Sequence, residues 1–257
     1  MRAICLASSS SGNAYVLIFG EGSEAQYLLI ECGLPIRELR IRMLANNLKL
    51  SQMQACLVTH GHNDHAISIQ DIVGMGINTY SSIDTFITHN VGGQFAKELK
   101  ANEYAAILPD VTVLPFPVEH DAPGSLGFAI ENNRTNERVL FVNDCKYYTI
   151  NLYGMKFDYV FMECNHMPNQ VHIVLDNAIK SNDFQNVVRY KRLVNSHMSL
   201  SGTNKALSKL DLKTVRAVFL MHLSDGYSNE YTMKADVAQA NSLYNRVFVC
   251  GKQGGIK

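Results

Sequence analysis

The chain has 257 residues, room for one large core or two modest domains, with 47% apolar residues and 23 basic against 23 acidic side chains. That balance excludes a long basic track for nucleic acid, but not a phosphate substrate, because bound metal ions would add positive charge at a site. No stretch reaches the roughly 18 uninterrupted apolar residues of a membrane span.

Residues 1–7 form too short an apolar run for a secretion signal and lead straight into a serine cluster, so a cytoplasmic protein without a membrane association is expected (host cytoplasm if phage-encoded). In chain order, β-type runs come first, at residues 14–19 and 27–30. A helix is predicted over 35–47, with Ile36, Leu39, Ile41, Met43 and Leu44 largely opposite the arginines. A strand over 55–59 precedes a helix over about 66–74, and strands follow at 111–114, 127–130, 139–142 and 159–162. Helices over 169–181 and 184–194, a strand over 217–221 and a helix over 230–244 complete the chain. This order predicts an α/β or α+β domain of two facing sheets with helices outside. With no repeat, low-complexity tract or Pro/Gly-rich linker, residues 1–257 read as one domain. Cys5, Cys32, Cys56, Cys145, Cys164 and Cys250 are scattered beside apolar runs without a C-x-x-C pair, the pattern of buried free thiols in a reducing compartment.

Immediately after the strand at 55–59 stands His60-Gly61-His62-Asn63-Asp64-His65. Histidines at i and i+2 of an extended segment point the same way and can share one ion, while Asp64 and His65 can turn toward a second, ~3.5–4 Å away in two-metal sites. Gly61 would permit a bend between them. One segment cannot fill two coordination shells. His120, Asp144 and His222 each close an apolar strand-like run, where a sheet would deliver them to a common edge, and the Asp144 carboxylate could bridge two ions.

These motifs resemble the metallo-β-lactamase superfamily, and within it the YycJ/WalJ-type branch of bacterial and phage hydrolases. Leu6 to Asn13 is similar to that branch's L-A-S-G-S-S-G-N, Glu31-Cys32-Gly33-Leu34 to D-x-G-L, and Thr59 to His65 to T-H-x-H-x-D-H. His120-Asp121-Ala122, Asn143-Asp144, Glu163-Cys164-Asn165-His166, Ser196-His197-Met198-Ser199 and His222-Leu223-Ser224 resemble H-D-A, T-D, E-S-N-H, G-H-L-S and H-L-S. Ser9 replaces a glycine, Glu31 stands where aspartate is usual, and Cys164 and Ser196 alter their motifs; none removes an expected ligand. The resemblance implies an αββα sandwich with its site along one edge of both sheets. It implies that His60, His62 and His120 hold one metal and Asp64, His65 and His222 the other, with Asp144 between and Glu31 bracing from behind. It further implies that His166, His197 and Ser199 line a substrate phosphate or orient ligands.

The branch resemblance implies phosphodiester hydrolysis of nucleic acid; the expected mechanism is attack by a metal-bridging hydroxide, oriented by Asp64 or Asp144, with His197 protonating the leaving group. The mixed nitrogen and oxygen donors suit two divalent ions, zinc or manganese first, magnesium or iron as alternatives. A cyclic-nucleotide phosphodiesterase that degrades a defence signal is the main alternative, since Lys180 and the cluster Arg189-Tyr190-Lys191-Arg192 are the only visible candidates for strand contact and also read as a solvated helix face. A lactamase- or thioesterase-type carbonyl hydrolase and a non-catalytic metal-binding protein are lesser alternatives. The partner is then a nucleic acid or nucleotide, and a homodimer is compatible with the sequence.

Overall fold

The computed structural model describes all of residues 1–257. The first half runs β1 (Arg2–Ser9), β2 (Gly12–Phe19), β3 (Gln26–Ile30), α1 (Ile36–Ala45), β4 (Ala55–Leu57), α2 (Asn63–Ala66), α3 (Ile69–Gly74), β5 (Asn78–Ser81), α4 (Ile83–Thr88) and β6 (Ala96–Glu98). Then come β7 (Ala105–Leu108), β8 (Val111–Glu119), β9 (Leu126–Asn132), β10 (Glu137–Val142), β11 (Tyr147–Tyr148), β12 (Tyr159–Glu163), α5 (Pro168–Lys180), α6 (Phe184–Ser196), α7 (Leu200–Leu207), β13 (Ala217–Met221), α8 (Glu230–Ala240) and β14 (Val247–Val249).

β1 to β6 form one sheet in chain order; the second has the order β11-β8-β9-β10-β12-β13-β14, with β7 also on β8. Each sheet begins antiparallel and turns parallel, from β3 onward in the first and from β10 onward in the second. Apolar runs without alternation are what strands covered on both faces require. In β2, Tyr15, Leu17 and Phe19 enter the core between the sheets while Ala14, Val16 and Ile18 pack under the helices. In β10, Val139 and Phe141 face between the sheets and Leu140 and Val142 face α7 and α8. Three apolar layers thus separate helices, sheet, sheet and helices.

Several elements differ from expectation. The helix expected over 66–74 starts earlier and breaks in two, so Asp64 and His65 lie on the single turn of α2. In α1 only Leu39 and Met43 are buried, while Ile41 and Leu44 face solvent and Arg42 bonds back to the Leu6 carbonyl at 2.8 Å. The last long helix stops at Ala240. β8 carries Pro115 and Pro117, which lack an N–H; they sit between the stretch paired by β7 and that paired by β11. All six cysteines are buried and free. No helix is long and apolar enough to cross a membrane.

Candidate metal centre

Both sheets present strand C-termini along one edge. β4 leads into His60–His65, while β8, β10 and β13 are followed directly or within two residues by His120, Asp144 and His222. Three residues there hold left-handed backbone, Glu31 (φ 64°), Asp144 (φ 44°) and His222 (φ 54°), a conformation uncommon for non-glycine residues, though less so for Asp and His than for Glu. Gly33 is required by packing, since a Cβ there would lie 1.7 Å from the Asp64 carbonyl oxygen. Gly61 is not in positive-φ backbone; what it supplies is room, because a Cβ would meet Thr88 at 3.0 Å.

His60, His62 and His120 converge with Asp144, their ligand atoms within 4.8 Å of one another. His62 Nδ1 lies 3.1 Å from both His60 Nε2 and His120 Nε2. The partners behind the rings fix the protons. Thr59 Oγ1 donates to Glu31 Oε1 at 2.6 Å and so accepts from His60 Nδ1 at 2.9 Å, while His120 Nδ1 donates to the Ser196 carbonyl at 2.9 Å. Both Nε2 atoms therefore present lone pairs to His62 Nδ1, whose single lone pair or proton cannot serve two partners. A cation among the three nitrogens satisfies them all. Burial and the neighbouring His65 push the His60 pKa well below the ordinary histidine range, and burial with His120 lowers His62, so both rings are neutral at pH 7, the form in which imidazole can bind a metal.

Asp64, His65 and His222 form a second set with the same Asp144. His65 Nε2 lies 3.2 Å from Asp144 Oδ2 and 3.4 Å from Asp64 Oδ2; His222 Nδ1 lies 2.9 Å from Asp144 Oδ1, and His222 Nε2 is 3.6 Å from Asp64 Oδ2. Burial opposes charge here, yet His222 and His65 hold the Asp144 carboxyl well below the carboxylate range, and Asp144 with Glu31 holds His65 well above the histidine range. Despite the short distances, His65 Nδ1, Asp144 Oδ1 and His222 Nε2 are buried without an aligned hydrogen bond. Orphaned donors and acceptors in a buried cluster, two carboxylates and two imidazoles, fit a divalent cation.

A third group lies behind these. Glu163, fully buried at the end of β12, accepts from His197 Nδ1 at 2.7 Å, from the backbone N–H of Cys145 at 2.7 Å and from that of Met198 at 3.1 Å, and stands 3.2 Å from His222 Nδ1. Against burial, Glu163 raises the His197 pKa. Glu31 likewise lies behind the His60 segment. Of the remaining residues expected to contact substrate, His197 lines the cavity above the cluster, whereas His166 is buried beneath it and Ser199 caps α7, accepting from Gly202 N at 3.2 Å; neither lines the cavity.

Sequence reasoning assigned no role to Glu163, Asn13 or Asp121. Asn13 Nδ2 reaches His65 Nε2 at 3.2 Å; Asp121 Oδ1 lies 3.2 Å from His120 Nε2, and its Oδ2 takes Arg192 Nε at 2.5 Å. All three stand inside the motifs of the sequence, and a lone acidic residue closing an apolar strand, as in Val160-Phe161-Met162-Glu163, is the signal that could have found Glu163. The cavity over the cluster has a volume of about 730 Å³ and is walled by α6, the loop after His222 and Ser10 of the β1–β2 turn.

A comparison with curated proteins finds no match to the sequence. Among solved structures, the chain is similar to Igni18, a metallo hydrolase of the archaeon Ignicoccus hospitalis (TM-score 0.65, 13% identity, covering 100% of this chain and 98% of that one). It is similar to zinc-bound PqqB of Methylobacterium extorquens (TM-score 0.67, 14% identity, 100% and 99% covered) and to the short form of human tRNase Z (TM-score 0.60, 13% identity, 100% and 98% covered). These likenesses bear out the αββα metallo-β-lactamase fold. Residues 26–223, well over half the chain and spanning every residue of both donor sets, match the family described as the beta-lactamase superfamily domain. The chain belongs to the beta-lactamase superfamily, whose fold here carries a His/Asp cluster suited to divalent metal and the hydrolytic chemistry of a metallo-hydrolase.

Proposed function

We propose that the chain is a phosphodiesterase of the YycJ/WalJ type, working with two divalent ions in a nuclease-like manner on nucleic acid. The observation that carries this reading is the pair of four-residue donor sets sharing buried Asp144. His60, His62 and His120 would hold one ion and Asp64, His65 and His222 the other, zinc or manganese by donor type. Two such ions would lower the pKa of a bound water and neutralise charge on the phosphoryl oxygens.

The chain's own groups supply the rest. Asp64 and Asp144, both kept ionised by their histidine neighbours, orient the attacking water as hydrogen-bond acceptors. His197 donates Nδ1 to Glu163 and leaves its other nitrogen to the cavity it lines, and its raised pKa keeps a proton available near neutrality for the departing oxygen. His197→Ala should retain metal but lose about 10²–10⁴-fold in kcat/KM.

A second reading, hydrolysis of a cyclic nucleotide, is favoured by the cavity itself, whose volume lies in the range that encloses a small ligand. Metal-loaded protein assayed on bis-p-nitrophenyl phosphate, single- and double-stranded DNA, RNA, cyclic nucleotides, a β-lactam and a thioester tests both. Phosphodiester turnover with two ions per chain is expected. Hydrolysis of the carbonyl substrates alone, or elemental analysis settling at one ion after zinc and manganese loading, overturns the proposal.

A further inference from the structure

α6 crosses the mouth of the cavity with Gln185, Val188, Arg189 and Arg192 toward it, a spacing of three to four residues that places them on one helical face. The two arginines are the only arginine or lysine side chains in the wall, and their circumstances differ. Arg192 is engaged: its Nε bonds Asp121 Oδ2, and Asp121 in turn lies against His120 and His62. That carboxylate holds the guanidinium at the edge of the metal cluster and offsets its charge. Arg189 makes no ion pair and no side-chain hydrogen bond, although it is exposed on the same face. The acid across the cavity, Asp225, is bonded to Lys252 and does not compensate it. Tyr227, whose ring packs edge-on to Tyr190 of α6 at 5.6 Å, forms the adjoining wall.

A planar guanidinium with five free donors, beside an aromatic ring and opening on a site for one phosphate, is suited to a second phosphate. We propose that Arg189 is a specificity-determining residue that takes the flanking phosphate of a nucleotidyl substrate, while the scissile phosphodiester sits at the histidine–aspartate cluster. The substrate class is thereby narrowed to nucleotides with at least two phosphates, linear or cyclic, rather than simple diesters. This rests on the phosphodiesterase reading for the scissile group only; the second subsite is a binding claim of its own.

Binding tests it on the metal-loaded protein. Phosphorothioate-linked dithymidine, slowly cleaved, is titrated in three forms: unphosphorylated, 5′-phosphorylated and 3′-phosphorylated. One phosphorylated form should bind about 10- to 100-fold more tightly than the unphosphorylated one, the scale of a charge-assisted contact. Arg189→Gln should remove that preference while leaving affinity for the unphosphorylated form, and the rate on bis-p-nitrophenyl phosphate, within about twofold. Equal affinity for all three forms, or a preference that survives Arg189→Gln, overturns the proposal. Should the wild type discriminate by phosphate yet cleave no diester, the catalytic reading falls and the subsite stands.

Discussion

Glu31 and Glu163 occupy matching places in the two sheets. Each is fully buried at the C-terminal end of a strand, β3 or β12, and each stands behind histidines of the candidate metal centre. Glu31 serves one stretch of chain: it bonds the Thr59 N–H at 3.2 Å and the Thr59 hydroxyl, and lies 3.2 Å from His65 Nδ1, so everything it braces falls within seven residues. Glu163 ties together backbone at Cys145 and Met198 and rings at His197 and His222, segments that no local geometry would hold together. The first sheet contributes a preassembled His/Asp segment, and the second contributes single residues whose convergence depends on one carboxylate. Loss of a buried carboxylate that several donors share leaves each of them unsatisfied, so the second brace should matter more.

The largest effect should come from the residue that joins the halves. Asp144 belongs to both donor sets, and asparagine tolerates the left-handed backbone found there, so Asp144→Asn should fold. Turnover should fall by about 10³-fold or more with retention of both ions weakened. Loss of one ion alone, measured by elemental analysis, would show that the two sets do not share it.

Glu163→Gln follows. One amide oxygen can still accept from Cys145 and Met198, but the amide NH₂ then faces His197 and His222 nitrogens that had donated to a carboxylate. A stability loss of about 3 kcal/mol by denaturant unfolding is expected. Because Glu163 raises the His197 pKa, its removal should also move the alkaline limb of the pH–rate profile to lower pH. A limb that stays in place would separate His197 from the proton transfer.

Next is a pH effect confined to the Glu163 side. His166 is buried, and burial lowers its pKa to about 4 from 6.5. The folded state therefore binds this proton less readily than the unfolded one. The contribution to stability is complete above pH 6.5 and is lost as pH falls toward 4, about 2 kcal/mol between pH 7 and pH 5. In metal-free protein, the stability difference between wild type and His166→Gln should shrink by that amount over the interval; a constant difference would mean His166 titrates normally.

The same asymmetry governs what could be read in the chain beforehand. His60 to His65 announce themselves because their partners are neighbours in sequence, and β2, β3 and β10 because strands buried on both faces must be continuously apolar. The polar short strands β5 and β6, and α7 with its Ser199 cap, carry weak patterns, since packing rather than local preference decides them. Glu163 and Asp121 were hidden for a physical reason. Their hydrogen-bond partners lie 18 to 71 residues away, and only the folded chain brings them together.

Glu31→Gln should have the smallest effect, and it bears most directly on the difference between the two braces. A glutamine oxygen can accept from the Thr59 N–H, and its NH₂ can donate to the Thr59 hydroxyl, which then releases its own proton elsewhere. Glu31 is one of three carboxylates that hold the His65 charge, and Asp144 and Asp64 remain to hold it when Glu31 is neutralised. A loss of about 1 kcal/mol is expected, roughly a third of that at Glu163. The reversal of the Thr59 hydroxyl would, however, turn a donor toward His60 Nδ1 and favour the tautomer with its proton on Nε2, the atom that faces the cluster. Metal affinity at the His60, His62 and His120 set should therefore fall about 10- to 100-fold while stability hardly changes. Equal stability losses at Glu31 and Glu163 would show that both carboxylates brace the fold alike; an unchanged metal affinity would show that His60 keeps its tautomer without Glu31.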